Sequence, residues 1–173
     1  EGCHTYTFKA VDAAGNVTVT DALTVKLDTI KPVIGDAAFN EGYKNLWNWL
    51  IRKDSLEITI PVAEAGSGIE SVDYELISED SSTTAGQASV KKASGENSAG
   101  YTAVIYINPD FKGKIMITAR DHAGNVSDTK MIGTDGSGIH GIIVEDHAPE
   151  ITFSVNGSES PEKEYEKAPT VIV

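Results

Sequence analysis

The sequence has one cysteine, Cys3, so no disulfide closes within it. A secreted domain so composed relies for stability on its core, on a metal or on its neighbours. Basic residues are scarce as well: 14 Lys and Arg stand against 26 Asp and Glu, a formal net charge of −12. A field of that sign repels phosphate backbones and anionic membrane surfaces, which excludes nucleic acid as the expected partner. No apolar run approaches the roughly 20 residues that span a bilayer, so membrane insertion is not expected. Catalytic signatures are missing too. There is no Gly-x-Ser-x-Gly elbow and no phosphate-binding glycine loop, and nothing marks two carboxylates as a pocketed pair. His4, His122, His140 and His147 show no metal-ligand spacing. Asp121-His122 and Asp146-His147 are adjacent pairs, which on a strand point to opposite faces and make poor shared sites. The chain is expected not to be an enzyme.

What is present is internal similarity. Tyr6-Thr-Phe-Lys-Ala-Val-Asp12-Ala-Ala-Gly-Asn16-Val recurs 109 residues later as Ile115-Met-Ile-Thr-Ala-Arg-Asp121-His-Ala-Gly-Asn125-Val. Each copy then runs through a further strand to an acidic residue and a proline, Asp28 with Pro32 and Asp146 with Pro149. Two motifs recurring in the same order mark a tandem repeat of about one immunoglobulin-type sandwich in length. The second copy is longer by about nine residues around Gly133-Thr-Asp-Gly-Ser-Gly138, where a loop or bulge is expected.

Period-two alternation supplies the strands. Tyr6, Phe8 and Ala10 share one face of a strand, and Val17 to Leu27 reads as the returning arm of a hairpin. Leu56, Ile58, Ile60 and Val62 alternate with polar residues, as do Val72, Tyr74 and Leu76; Ala103, Ile105 and Ile107; and Ile115, Ile117 and Ala119. Gly-, Ser- and Asn-rich stretches, notably Ala65 to Gly68 and Glu79 to Gly86, read as separators. No window keeps a helical period. The pattern predicts an all-β, antiparallel sandwich. Residues 1–30 are expected to be the last hairpin of one module, 31–147 a complete module, and 148–173 the opening strands of a third, with Ile151, Phe153 and Val155 in alternation. The chain thus reads as an internal segment of a longer protein.

These residues resemble the bacterial immunoglobulin-like (Big-type) repeats of Gram-positive cell-surface proteins. The Asp-x-Ala-Gly-Asn turns, Gly66-Ser-Gly-Ile69 followed by Val72-x-Tyr74, the acidic-to-proline junctions and Trp47-Asn-Trp49 carry the likeness. It covers nearly the whole chain apart from residues 79–100. The resemblance implies an extracellular, secreted or wall-attached protein. Its modules act as spacers or adhesion elements, or as accessory, carbohydrate-binding modules of a secreted glycosidase. Neighbouring modules of the same chain, and a host or cell-wall glycan or protein, are the implied partners. Some modules of this broad class carry a Lys–Asn isopeptide crosslink, for which no motif here names a partner.

Two sets of residues are candidates for binding. Asp12 and Asp121 end strands at the repeated turns, and Asp28 and Asp146 stand at module junctions. Together they are the expected ligands if calcium, which favours several oxygen ligands, is bound. Neither the EF-hand spacing nor that of the calcium nonapeptide repeats occurs. A structural explanation weighs more at the turns, because Gly15 and Gly124 can take positive φ and the Asp can accept turn amides. Tyr43, Trp47 and Trp49 could form an aromatic platform for sugar rings. Covering one end of the core is the stronger explanation for them.

Overall fold

A computed structural model describes residues 2–93, 100–133, 138–150, 154–155 and 171–172. Among these there is no helix. The first stretch holds β1 (Gly2–Tyr6), β2 (Lys9–Val11), β3 (Val17–Val19) and β4 (Leu23–Leu27). Then come β5 (Val33–Ile34), β6 (Ala38–Phe39), β7 (Lys44–Leu46), β8 (Trp49–Arg52), β9 (Leu56–Ala63), β10 (Ile69–Ser78), β11 (Thr83–Gln87) and β12 (Ser89–Lys92). After these follow β13 (Gly100–Ile107), β14 (Phe111–Asp121), β15 (Lys130–Ile132) and β16 (Gly141–Val144). Two short strands close the series, β17 (Ser154–Val155) and β18 (Val171–Ile172), which pair with each other.

Two sheets carry the central body. A five-stranded sheet runs β12-β13-β9-β5, with β6 also on β9, and a seven-stranded sheet runs β11-β10-β14-β16-β8-β7, with β15 also on β14. Alternation decides which side chains meet between them. Leu56, Ile58, Ile60 and Val62 of β9 and Ala103, Ile105 and Ile107 of β13 are at most 1% exposed. They join Leu50, Val72, Ile115, Ile117, Ala119, Ile142 and Val144 of the other sheet in one cluster. A two-layer, sandwich-like body results, in which apolar faces meet inside and polar residues face water.

Several local expectations change. One pair is parallel, since β16 aligns with β8 through Ile142↔Leu50 and Val144↔Arg52; every other strand pair among the described residues is antiparallel. The strand expected from Tyr6 to Ala10 breaks between β1 and β2, and the returning arm breaks between β3 and β4. Thr20 stands at this break, taking Phe8 N–H on its hydroxyl and donating its own N–H to Phe8 O. The separator at Glu79 to Gly86 turns within four residues, and Thr83 onward is already β11. β-branched threonines there pair with the outer edge of β10.

The ladders also locate the extra residues of the longer copy. Tyr6 pairs with Leu23, and Ile115 with Ile132, both partners shifted by 109. Gly2 pairs with Leu27, but Phe111, 109 residues on, pairs with Val144, 117 residues on. Eight residues, 133–140, are therefore added between β15 and β16, among them Gly133 and Gly138, both at positive φ. Residues 134–137 of that segment, and Ile151 and Phe153 of the expected opening strands, lie outside the described residues.

Candidate functional site

The junction between the first hairpin and the central body is the best-built polar site. β9 ends at Ala63, and Glu64 follows it into the loop that leads to β10. β14 ends at Asp121, which opens the second Asp-x-Ala-Gly-Asn turn. Asp28 follows β4. Carboxylate oxygens of Asp28, Glu64 and Asp121 all lie within 4.8 Å of one another. Glu64 is 6% exposed and Asp121 is fully buried.

Each carboxylate is held by N–H or O–H donors. Asp121 Oδ1 accepts Ala123 N–H at 2.9 Å and Asn125 N–H at 2.8 Å, and its Oδ2 accepts Asn125 Nδ2 at 2.8 Å. Glu64 Oε1 accepts Gly66 N–H at 2.6 Å. Asp28 accepts Ser67 N–H at 2.6 Å and Ile30 N–H at 3.1 Å. The Ser67 hydroxyl, then Ile30 N–H and Ser67 N–H, hold the Asp28 carboxyl below the usual carboxylate range, because each bonds the charged form. Ser67 Oγ in turn accepts Ala123 N–H at 3.2 Å, Asn125 Nδ2 donates to Asp28 O at 3.2 Å, and His122 N–H donates to Gly68 O at 3.0 Å.

The Gly66-Ser-Gly68 segment thus has a local purpose. A Cβ at Gly66 would lie 2.3 Å from Asp28 Oδ2, so only glycine admits the carboxylate. Gly68 sits at φ +86°, where a side chain is strained. Lys31 and Asp128, 2.5 Å apart and exposed, bridge the same linker to the segment after the turn. No ion pair reaches Asp28, Glu64 or Asp121 among the described residues.

Of the four aspartates expected to hold calcium, Asp28 and Asp121 come together and Asp12 and Asp146 do not join them. Asp12 keeps the same turn, with Oδ1 accepting Ala14 N–H at 2.9 Å and Asn16 N–H at 2.8 Å, and Oδ2 accepting Asn16 Nδ2 at 2.7 Å. It is exposed, and the Asn16 side chain leads the donors that lower its pKa. Asp146 meets Asp110 and His147 on the surface, with His147 Nδ1 3.0 Å from Asp110 and 3.6 Å from Asp146. Asp146 and His147 reach one cluster despite being adjacent, because residues 145–150 lie beyond β16 and do not alternate as a strand does. Sequence reasoning missed Glu64. Its signal was a carboxylate immediately after the buried alternation of β9, two residues before Gly66.

The three aromatics share one hairpin region, but their ring contacts go elsewhere. Trp47 and Asn48 form a two-residue turn between β7 and β8, with φ of 51° and 64°. Two positive φ values mark a type I′ hairpin turn, and Trp47 is 85% exposed at its tip. Tyr43 meets Phe39 edge-on, with centroids 5.9 Å apart. Trp49 is half-buried, 5.1 Å from the His140 ring and 5.3 Å below Lys112 Nζ. A Cβ at Gly141 would lie 2.5 Å from the Trp49 ring.

No protein-family profile matches the chain, and no curated protein is significantly similar to it.

Proposed function

We propose that the chain is a non-catalytic, extracellular spacer or adhesion element built of tandem immunoglobulin-like modules, with Asp28 clasping one module to the next. The clasp carries the reading: a linker carboxylate held by two donors of Ser67 couples the direction of the first hairpin to the central body. The equal 109-residue shift in Tyr6↔Leu23 and Ile115↔Ile132, with two turns bonded alike, supports the repeat. Ile115 and Ile117 are buried under β9 and β13, whereas their counterparts Tyr6 and Phe8 are 51% and 63% exposed. Among the described residues no strand covers the first hairpin, which fits the proposed modular division. The calcium expectation narrows, within this proposal, to Asp28, Glu64 and Asp121.

Spin labels on Cys3, the single native thiol, and on an introduced Asn108→Cys test the clasp by their distance distribution. A narrow distribution that broadens in Asp28→Ala supports a stiff joint. An equally broad distribution in both proteins rejects it.

A second reading, an accessory carbohydrate-binding module of a secreted glycosidase, is favoured by one observation. Trp47 holds a backbone conformation costly for a bulky residue while exposing nearly all of its indole. Strain kept at an exposed aromatic needs a reason that packing does not supply.

A further inference from the structure

Between β7 and β14 the outward face of the seven-stranded sheet departs from the acidity of the chain, whereas on β10 the same face carries Asp73 and Glu75. Register places Lys44 beside Ile51, Ile51 beside Ile143, and Ile143 beside Lys112 in one cross-strand row. The next row begins with Leu46 beside Trp49, and on β14 it holds Lys114 beside Ile77. Arg52 and Lys53 follow at the end of β8. Five of the chain's 14 Lys and Arg residues, Lys44, Arg52, Lys53, Lys112 and Lys114, are thus gathered on or beside this face. Ile51 and Ile143 form a half-buried apolar floor between them.

Two clefts flank that floor. One, of about 390 Å³, is lined by Lys44, Ile51, Arg52, Lys53 and Glu145. The other, of about 260 Å³, is lined by Trp49, Ile77, Glu79, Lys114 and His140. Lys44, Lys53 and Lys114 make no ion pair among the described residues, while Lys112 is held 2.9 Å from Glu79 at an exposed position. Such exposed pairs are weak and exchange readily for another anion. Arg52 donates Nη1–H to Glu41 O, but its buried Nε–H has no acceptor.

We infer that this face binds an acidic oligosaccharide. Apolar floor and aromatic edges suit the faces of sugar rings, and the cations suit their carboxylates or sulfates. The row from Lys44 to Lys112 crosses three strand spacings, about 14 Å, which fits a chain of sugars better than a single small ion. Trp47, at the tip of the same hairpin, extends the surface. The inference rests on the glycan-binding reading above and adds the charge of the ligand.

Titration calorimetry with the full chain tests it, using three probes: tri-galacturonic acid, its neutral methyl ester, and a chondroitin sulfate tetrasaccharide. Binding of one or both acidic probes, at least tenfold tighter than the methyl ester and weakened by salt, is expected. The arm that responds identifies carboxylate or sulfate as the recognised group. Lys44→Ala with Lys53→Ala, both at exposed positions, should weaken binding about tenfold, ~1.4 kcal/mol. Trp47→Asn keeps a residue that tolerates positive φ and should weaken it as well. Equal binding of the methyl ester, unchanged in the lysine variant, overturns the acidic-ligand inference and leaves glycan binding standing. No binding of any probe overturns both.

Discussion

The Asp28 carboxylate accepts the Ser67 amide at 2.6 Å across 39 residues of sequence, and Gly66 makes room for it. Two substitutions separate the charge from the space. Asp28→Ala removes the acceptor, whereas Gly66→Ala keeps it but sets a methyl where Oδ2 lies. Both should loosen the first hairpin relative to the central body to a similar extent. Small-angle scattering should show the radius of gyration rising in each, with the central body's β signal unchanged. Acid should do the same. Hydrogen bonds lower the folded pKa of Asp28, so its contribution is complete above the ordinary carboxylate value, about 3.9, and is lost as pH falls through the lower folded value. The joint should hold from pH 7 to about pH 4 and loosen below it.

How far this was readable from sequence follows from the range of each interaction. Alternation named Leu56 to Val62 and Ala103 to Ile107 as core because the period acts locally and one face must be buried. The repeated turns were legible for the same reason: Asp12 and Asp121 satisfy donors two and four residues away. The meeting of Asp28, Glu64 and Asp121 depends on three segments converging, and no spacing rule encodes it. Trp49 looked like a partner of Trp47, yet the strand sends it toward Gly141, a neighbour set by a parallel pairing with β16.

Calcium should raise the melting temperature of the chain. Two of the three carboxylates are buried, and among the described residues no cationic side chain forms an ion pair with any of them. A divalent cation that prefers oxygen ligands would relieve their mutual repulsion, and binding to the folded state alone raises stability with concentration. Scanning calorimetry in chelator and in millimolar calcium should differ by several degrees. Glu64→Gln should abolish that difference while leaving the melting point in chelator unchanged or raised. Identical curves for the parent chain in both buffers would remove calcium from the joint.

The two repeated turns should respond unequally to the same change. Asp121→Ala leaves Asn125 N–H without an acceptor at a part-buried position, while Ala123 N–H keeps Ser67 Oγ and the Asn125 amide keeps Asp28 O, at a cost of about 1–3 kcal/mol. Asp12→Ala leaves equivalent donors open to water and should cost no more than about 1 kcal/mol. Urea denaturation followed by far-ultraviolet circular dichroism, which reports the strands of both segments, reads the difference. Equal costs would mean that burial at Asp121 is not what the geometry implies.

Trp47 should be worse for stability than the residues its turn favours. A type I′ turn places both central residues at positive φ, where Asn-Gly is preferred. The double substitution Trp47→Asn, Asn48→Gly should stabilise the central body by about 1 kcal/mol, since it removes left-handed strain at a bulky residue. An increase in the urea midpoint at constant slope is the expected readout. A fall would show that the indole packs in solution against the sheet and is not held out at the tip.

The last prediction concerns where the folding unit ends. Residues 31–147 contain both sheets of the central body and its whole core cluster, while the first hairpin and its linker add to it the Asp28 carboxylate, bonded by Ser67 N–H, and Asp28 O, bonded by the Asn125 amide. Alone, this fragment should unfold in one cooperative step and sediment as a monomer. The 173-residue chain should behave differently. Tyr6, Phe8, Val11, Val17, Val19, Leu23, Val25 and Leu27 each keep 42–63% of their surface exposed, and two-stranded ribbons of that kind are marginal in water. Exposed apolar faces and unpaired edges recruit other chains, so the longer protein should self-associate as its concentration rises. Sedimentation velocity across a concentration series compares the two directly. An unfolded 31–147 fragment beside a monomeric full chain would reverse the conclusion. The first hairpin would then belong to the same folding unit.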